Sequence, residues 1–179
     1  MNIFYLHEDP TTCAQHHVDK HVVKMILEYA QLLSTAHRVL DGKEATALSK
    51  SGRKQKVWAL EDDRDSVLYK ATHINHPSAK WARHTASNYD WLYSLWVECL
   101  IEYTHRYGKI HSCQRLAETL LCHPNKIEVG EFTAPWRAMP DEFKVDGDTL
   151  QSYRNYYNGA KSHMFKWKTR ATPDWIVVE

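Results

Sequence analysis

The sequence holds little glycine and proline, with 6 of each in 179 residues. This scarcity excludes collagen-like and low-complexity chains and favours a helix-rich core. No apolar run approaches the roughly 20 residues that a membrane span needs, and the start of the chain lacks the basic and apolar regions of a signal peptide. We therefore expect no membrane partner and a cytoplasmic protein.

Cysteine is also scarce, and the 4 residues of this type show no CxxC spacing. That pattern excludes the disulfide framework of a small secreted domain and predicts reduced thiols. His17 and His21 have the i, i+4 spacing of zinc ligands, but the His-Glu-x-x-His order is absent. The other histidines are too isolated for a structural zinc site. We predict no metal and no cofactor.

Aromatic residues and histidines are abundant, with 7 Trp, 10 Tyr and 12 His. The apolar and charged fractions, 43% and 25%, are those of a globular protein, and 179 residues suit one domain. The net charge is only +1, yet residues 45–60 carry 4 Lys and Arg, and residues 153–170 carry 5, with no acid in either stretch. These stretches predict positive surfaces for phosphates, although solvated helix faces and a loop would carry the same charges.

The pattern of apolar residues predicts a mainly α fold, a single compact domain over 1–179 with about five helices around a central N-terminal helix. Asp9-Pro10 begins that helix and Asp41-Gly42 ends it. The remaining predicted elements are a basic loop or insertion at 41–60, helices at 61–71, 87–108, 112–121 and 148–170, a turn at 72–77 and irregular chain at 125–147.

The first helix carries the most information, because apolar residues cover most of its circumference and leave one narrow polar row. Steps of four and three residues align this row, which comprises His17, His21, Lys24, Glu28, Gln31 and Thr35. A carboxylate beside amines and imidazoles suits acid–base or nucleophilic catalysis. Lys24 and Glu28 could equally form an ordinary helix salt bridge. We select His17, His21, Lys24 and Glu28 as candidate catalytic residues.

The segment 153–170 alternates aromatic residues with cations. Aromatic faces can stack on bases while the cations contact phosphates. The same aromatic residues would also form the core stripe of an amphipathic helix, with Arg154, Lys161, Lys166 and Lys168 on its outer side.

Four stretches, in this order, resemble the pyrimidine-dimer DNA glycosylase (phage endonuclease V-like) family. They are the opening Met-Asn-Ile-Phe-Tyr-Leu-His, the helix containing Val22 to Leu33, Asn75-His-Pro-Ser-Ala-Lys-Trp81 followed by Tyr89 to Gly108, and the pair Met139-Pro-Asp-Glu-Phe143 and Pro173-Asp-Trp175. The resemblance is distant and spans roughly two thirds of the chain. The family has arginines where this chain has Asn2 and Leu27.

The resemblance implies an all-α DNA repair enzyme that acts on a damaged or modified base in double-stranded DNA. Its N-terminal α-amine attacks the sugar C1′ and a helix glutamate assists, so Met1 would supply the amine and Glu28 the carboxylate. An α-amine is much less basic than lysine, so more of it is nucleophilic near neutral pH. The predicted DNA contacts are Asn2, Lys54, Asn75, His76, Lys80, Arg83, Arg154, Lys161, Lys166 and Lys168.

Two other functions remain open from the sequence. A transferase could modify a hypermodified DNA pyrimidine, as an amino acid:DNA transferase does, using the polar row for acid–base chemistry and a small-molecule donor. A non-catalytic nucleic-acid-binding module would need none of that chemistry. Glycosylase and lyase activity is the prediction we place first.

Overall fold

A computed structural model of the chain describes residues 1–177, and across them the fold is a single, mainly α domain with one small sheet. The seven α-helices are α1 (Pro10–His16), α2 (Asp19–Asp41), α3 (Arg64–Val67), α4 (Pro77–Ala82), α5 (Ala86–Tyr107), α6 (Ala117–Leu120) and α7 (Thr149–Lys161). Strands β1 (Lys43–Leu48) and β2 (Lys54–Ala59) form the sheet, and short 3-10 helices cover Ser112–Leu116, Asp141–Phe143 and Ser162–Met164. Within the described chain no helix has the length and apolarity needed to cross a membrane.

The first predicted helix is in fact two helices, because the backbone becomes extended at His17 and Val18. The amides at this break find partners in the C-terminal segment: the Asp19 amide donates to the Lys166 carbonyl at 2.8 Å, and the Val18 amide approaches the Tyr157 hydroxyl at 3.4 Å. These partners lie more than 130 residues away in the sequence, so local periodicity could not reveal the break.

Helix α2 is central, as predicted, and packs against α4 and α5. The indole of Trp96 on α5 donates a hydrogen bond to the Ile26 carbonyl of α2 at 3.0 Å. Helix α5 begins at Ala86, one residue before the predicted Ser87, and the Thr85 hydroxyl caps it by accepting a hydrogen bond from the Asn88 amide. Gly108 ends it at φ 63°, a left-handed conformation that glycine adopts without strain.

The region predicted as a basic loop contains an antiparallel hairpin, in which Lys43 pairs with Ala59 and Leu48 with Lys54. Gly52, at φ 76°, lies in its turn. Neither strand has the regular alternation of apolar and polar residues that predicts a half-buried sheet. This agrees with the structure, in which most hairpin residues are exposed. The hairpin holds its basic residues on a structured projection from the helical body.

The other predicted helices differ from the structure in length, and one short helix was not predicted. Residues 125–147 are largely irregular, as predicted. The helix expected at 61–71 covers only α3, and Pro77 begins an unpredicted helix, α4. The last helix ends at Lys161 rather than Arg170. Arg170 instead donates hydrogen bonds to Glu102 on α5, which draws the chain after α7 back across the core.

Candidate active site

The first six residues form part of the core, and this fixes the start of the chain against α2. Ile3 and Leu6 are fully buried, and the Phe4 amide donates to the Tyr29 hydroxyl at 3.2 Å. The Cys13 thiol donates to the Phe4 carbonyl at 3.2 Å and is approached by the Leu6 amide at 3.4 Å. These contacts, made on both sides of the segment, hold the Met1 amine near α2.

This placement brings the Met1 amine to Glu28. The Met1 nitrogen lies 3.6 Å from Glu28 Oε2, and the Lys24 Nζ lies 3.2 Å from Glu28 Oε1. The side chain of Glu28 is 16% exposed and that of Lys24 is 67% exposed. A carboxylate that is mostly shielded from solvent thus lies between two amines, one from the chain start and one from its own helix.

His76 flanks this group from the loop before α4. Its Nδ1 accepts a hydrogen bond from the Ser78 amide at 3.1 Å, which caps α4. Burial lowers the pKa of His76, and the positive charges of the Met1 amine and His73 lower it further, while the Glu28 carboxylate acts in the opposite direction. His76 is therefore close enough to the amine and the carboxylate to sense both charges.

The prediction that His17 faces a substrate is wrong, because its ring is fully buried and bonded on both sides. Its Nδ1 donates to the Cys13 carbonyl at 2.7 Å, and its Nε2 accepts from the Tyr29 hydroxyl at 2.8 Å. Burial lowers the pKa of His17 to about 4, so the ring is neutral at pH 7. His17 joins α1 to α2 at the helix break and holds the hydroxyl that anchors Phe4.

The same correction applies to His21, which is 4% exposed. Its ring stacks on Phe4 with centroids 4.3 Å apart, and its Nδ1 accepts from the Tyr157 hydroxyl at 2.6 Å. Burial lowers the pKa of His21 to about 3, and the charges of His17, Lys161 and Lys24 add to the effect. The polar row is thus divided: its first two members belong to the core, and its exposed part begins at Lys24.

The buried neutral histidines predict that the protein loses stability below pH 6.5. An unfolded histidine has a pKa near 6.5, whereas that of folded His17 is about 4. Its stabilising contribution is therefore complete above pH 6.5 and is lost as the pH falls towards 4, by roughly 3 kcal/mol at most. We expect urea unfolding at pH 7, 6 and 5 to show a falling free energy of unfolding. A constant value over that range would contradict the neutral, buried state of these rings.

Five of the predicted DNA contacts are exposed side chains, namely Lys54, Asn75, Lys80, Lys166 and Lys168. Lys168 lies over the ring of Tyr107, with its Nζ 5.3 Å from the ring centroid, and half-buried Lys161 lies 4.8 Å over Tyr156. Asn2 is half-buried beside Met1. The positive charges of Lys161 and Lys24 both lower the pKa of His21.

The two predicted arginine contacts are engaged within the protein, which corrects their assignment. Arg83 donates to the carbonyls of Ala79 and Ile74 at 2.7 and 2.8 Å. Arg154 donates to the Leu6 carbonyl at 3.1 Å and lies over the Trp175 ring. These guanidinium groups hold loops and the N-terminal segment in place, so their primary role is structural.

Over residues 1–177, the structure places no three or more His, Cys, Asp or Glu side chains where they could hold a metal ion together. The groups that the structure does bring together at the chain start are an amine and a carboxylate. The carboxylate is that of Glu28 in the polar row, and the amine is that of Met1.

The sequence analysis did not predict a groove that begins about one turn of α2 after Glu28. It has a volume of about 680 Å³ and runs between the hairpin, α2 and residues 69–72, with Gln31 and Thr72 among its lining residues. Gln31 is the next member of the polar row after Glu28. The signal that could have indicated the groove is the continuation of that row, but its opposite wall depends on a hairpin that the sequence did not predict.

Comparison with models of protein families, with curated proteins and with solved structures found no match to this chain. The geometry around Met1 and Glu28, together with the resemblance in sequence, is what supports a function.

Proposed function

We propose that the protein is a DNA glycosylase with lyase activity, in which the Met1 α-amine is the nucleophile and Glu28 the assisting carboxylate. The observation that carries the proposal is the 3.6 Å separation of the Met1 nitrogen and Glu28 Oε2. A nucleophile beside a positioned carboxylate is the arrangement that covalent catalysis requires. The N-terminal segment supplies the rigidity, since its residues are buried around Phe4 and Leu6.

The proposed reaction begins when the unprotonated amine attacks C1′ of a deoxynucleotide. The bond between C1′ and the base breaks, and the base leaves with the electron pair and takes a proton. The C1′–O4′ bond then breaks and O4′ takes the proton that the attacking amine releases, which leaves a C1′=N iminium, the Schiff base, with Met1 bound covalently to the DNA. Glu28 then accepts the proton from C2′. The electrons of that C–H bond form the C2′=C3′ double bond, and the C3′–O bond breaks with its electron pair leaving on the 3′ phosphate. Water hydrolyses the iminium and restores the amine.

The charges around the site suit a polyanionic substrate. Lys24 is exposed beside Glu28, and the positive charge of Lys161 on α7 reaches His21. Lys80, four residues after His76, is an exposed residue of α4. Cations on three elements can contact the phosphates of a DNA backbone while the carboxylate remains at the reacting sugar. To reach the amine, the target nucleotide must leave the base stack.

Borohydride trapping tests the proposal. The protein, with a free Met1 amine verified by intact mass, is incubated with duplex DNA that carries an abasic site, in the presence of borohydride. We expect a covalent adduct, and we expect the peptide that begins at Met1 to carry the added sugar in mass spectra. An adduct on any other peptide, or no adduct on abasic or damaged DNA, would refute the proposed nucleophile.

A further inference from the structure

The groove between the hairpin, α2 and residues 69–72 is a structured feature of the fold. Arg38 of α2 donates hydrogen bonds to the carbonyls of Trp58, Leu68 and Tyr69 and to the carboxylate of Asp65, at distances from 2.6 to 2.9 Å. One buried guanidinium thereby ties the hairpin and the segment before residue 70 to the same turn of α2. A fifth hydrogen bond, to the Asp65 carbonyl at 2.9 Å, occupies its remaining N–H, so Arg38 leaves ligand contacts to other residues.

The groove and the candidate active site lie along the same helix, α2. Gln31, which lines it, lies three residues after Glu28 on the same row of α2. At the wall formed by residues 69–72, the Thr72 amide donates to the Thr35 hydroxyl at 3.1 Å, which fixes the chain immediately before His73. About one turn of α2 therefore separates the Glu28 carboxylate from the first residue of this helix that lines the groove.

The lining of the groove matches the chemistry of a nucleotide. Trp58 and Tyr69 are half-buried aromatic residues, and Lys70 is exposed. The amides of Gln31 and Gln55 can both donate to and accept from the edge of a heterocycle. A volume of about 680 Å³ falls in the range of small-molecule pockets and exceeds what one base requires.

The charge of the hairpin indicates which form of nucleotide it meets. Its turn and the adjoining end of β2 carry exposed Lys50, Arg53 and Lys54 with no acid between residues 45 and 60. A row of cations beyond the groove fits successive phosphates of a strand better than a single free phosphate.

We propose that this groove binds a nucleotide of the DNA strand next to the one that reacts at Met1, with its base among Trp58, Tyr69 and the glutamine amides and its phosphate at Lys70. The inference rests on the proposed function for the identity of the ligand. It adds a second binding site, and it makes the hairpin the element that senses the sequence or modification state of the neighbouring base.

Photo-crosslinking tests the placement of the base. The probe is duplex DNA with a tetrahydrofuran abasic analogue, which cannot form a Schiff base, and 5-iodouracil at either neighbouring position. We expect crosslinks at Trp58 or Tyr69, because halogenated pyrimidines react with aromatic residues on which they stack. Crosslinks confined to other parts of the protein would overturn the assignment.

Binding of the same DNA tests the phosphate contact. We expect Lys70→Ala to weaken binding about fivefold near 0.1 M salt and to reduce the slope of log K against log salt by about 0.9. Lys109→Ala, at an exposed lysine after the far end of α5, is the matched control and should change neither value. Equal behaviour of the two variants would overturn the contact.

Two further outcomes separate this inference from others. Thymidine monophosphate at micromolar concentration should not displace the DNA; displacement would mean that the groove binds free nucleotides. Crosslinks at Trp58 without any borohydride adduct would leave the groove assignment intact and refute the catalytic proposal. An adduct at Met1 without crosslinks in the groove would support the catalytic proposal and overturn the groove assignment.

Discussion

Adding one glycine before Met1 is expected to slow covalent capture of abasic DNA at least about 100-fold. One residue moves the terminal amine by up to about 3.8 Å, which exceeds its present 3.6 Å separation from Glu28. The segment cannot slide back to compensate, because Phe4 is bonded to Tyr29 and Leu6 is fully buried. The measurement is the single-turnover rate of adduct formation under borohydride.

The control for this extension is the same glycine added after Glu179, which should leave the rate within about twofold, a change well below the factor attributed to misplacement. Circular dichroism and thermal unfolding should be unchanged for both proteins. If the N-terminal extension captures DNA at the normal rate, the nucleophile is a different amine. Lys24, 3.2 Å from Glu28, is then the residue to examine by peptide mapping.

The helical framework could be predicted because its signals are local. The apolar seam of α2, the end of α5 at Gly108 and the irregular chain after residue 125 each depend on residues a few positions apart. The hairpin lacked such a signal, since exposed strands rich in lysine and alanine resemble a loop. Its position depends on Arg38, whose partners Trp58 and Tyr69 lie 20 and 31 residues away.

The candidate site was only partly predictable for the same reason. Spacing alone placed Lys24 and Glu28 together, as an i, i+4 pair. Spacing also placed His17 and His21 in that row, but Tyr29 and Tyr157 hold them in the core. A polar side chain inside a protein is indistinguishable in sequence from one at a site until its hydrogen-bond partners are known. The resemblance, and no periodic pattern, suggested that Met1 belongs beside Glu28.

Glu28→Gln is expected to reduce the rate of strand cleavage by about 100- to 10,000-fold, the usual contribution of a positioned acid or base. The amide occupies nearly the same volume as the carboxylate but cannot accept the C2′ proton. DNA affinity should be retained or increased, because one negative charge facing the phosphates is removed. The measurement compares cleavage of abasic duplex DNA under single-turnover conditions with binding of the tetrahydrofuran analogue.

This substitution should spare the fold, so its effect can be assigned to chemistry. Within the described chain, Glu28 forms one ion pair with the exposed Lys24, a kind of pair that contributes about 0–1 kcal/mol. Its other partner is the shielded Met1 amine, from which the oxygen of the glutamine amide can still accept a hydrogen bond. The melting temperature should fall by no more than about 4 °C. Glu98→Gln, at a half-buried glutamate on α5, is the matched control and should cleave normally. Glu28→Asp keeps the carboxylate and should recover part of the rate. Full cleavage by Glu28→Gln would exclude this carboxylate as the proton acceptor.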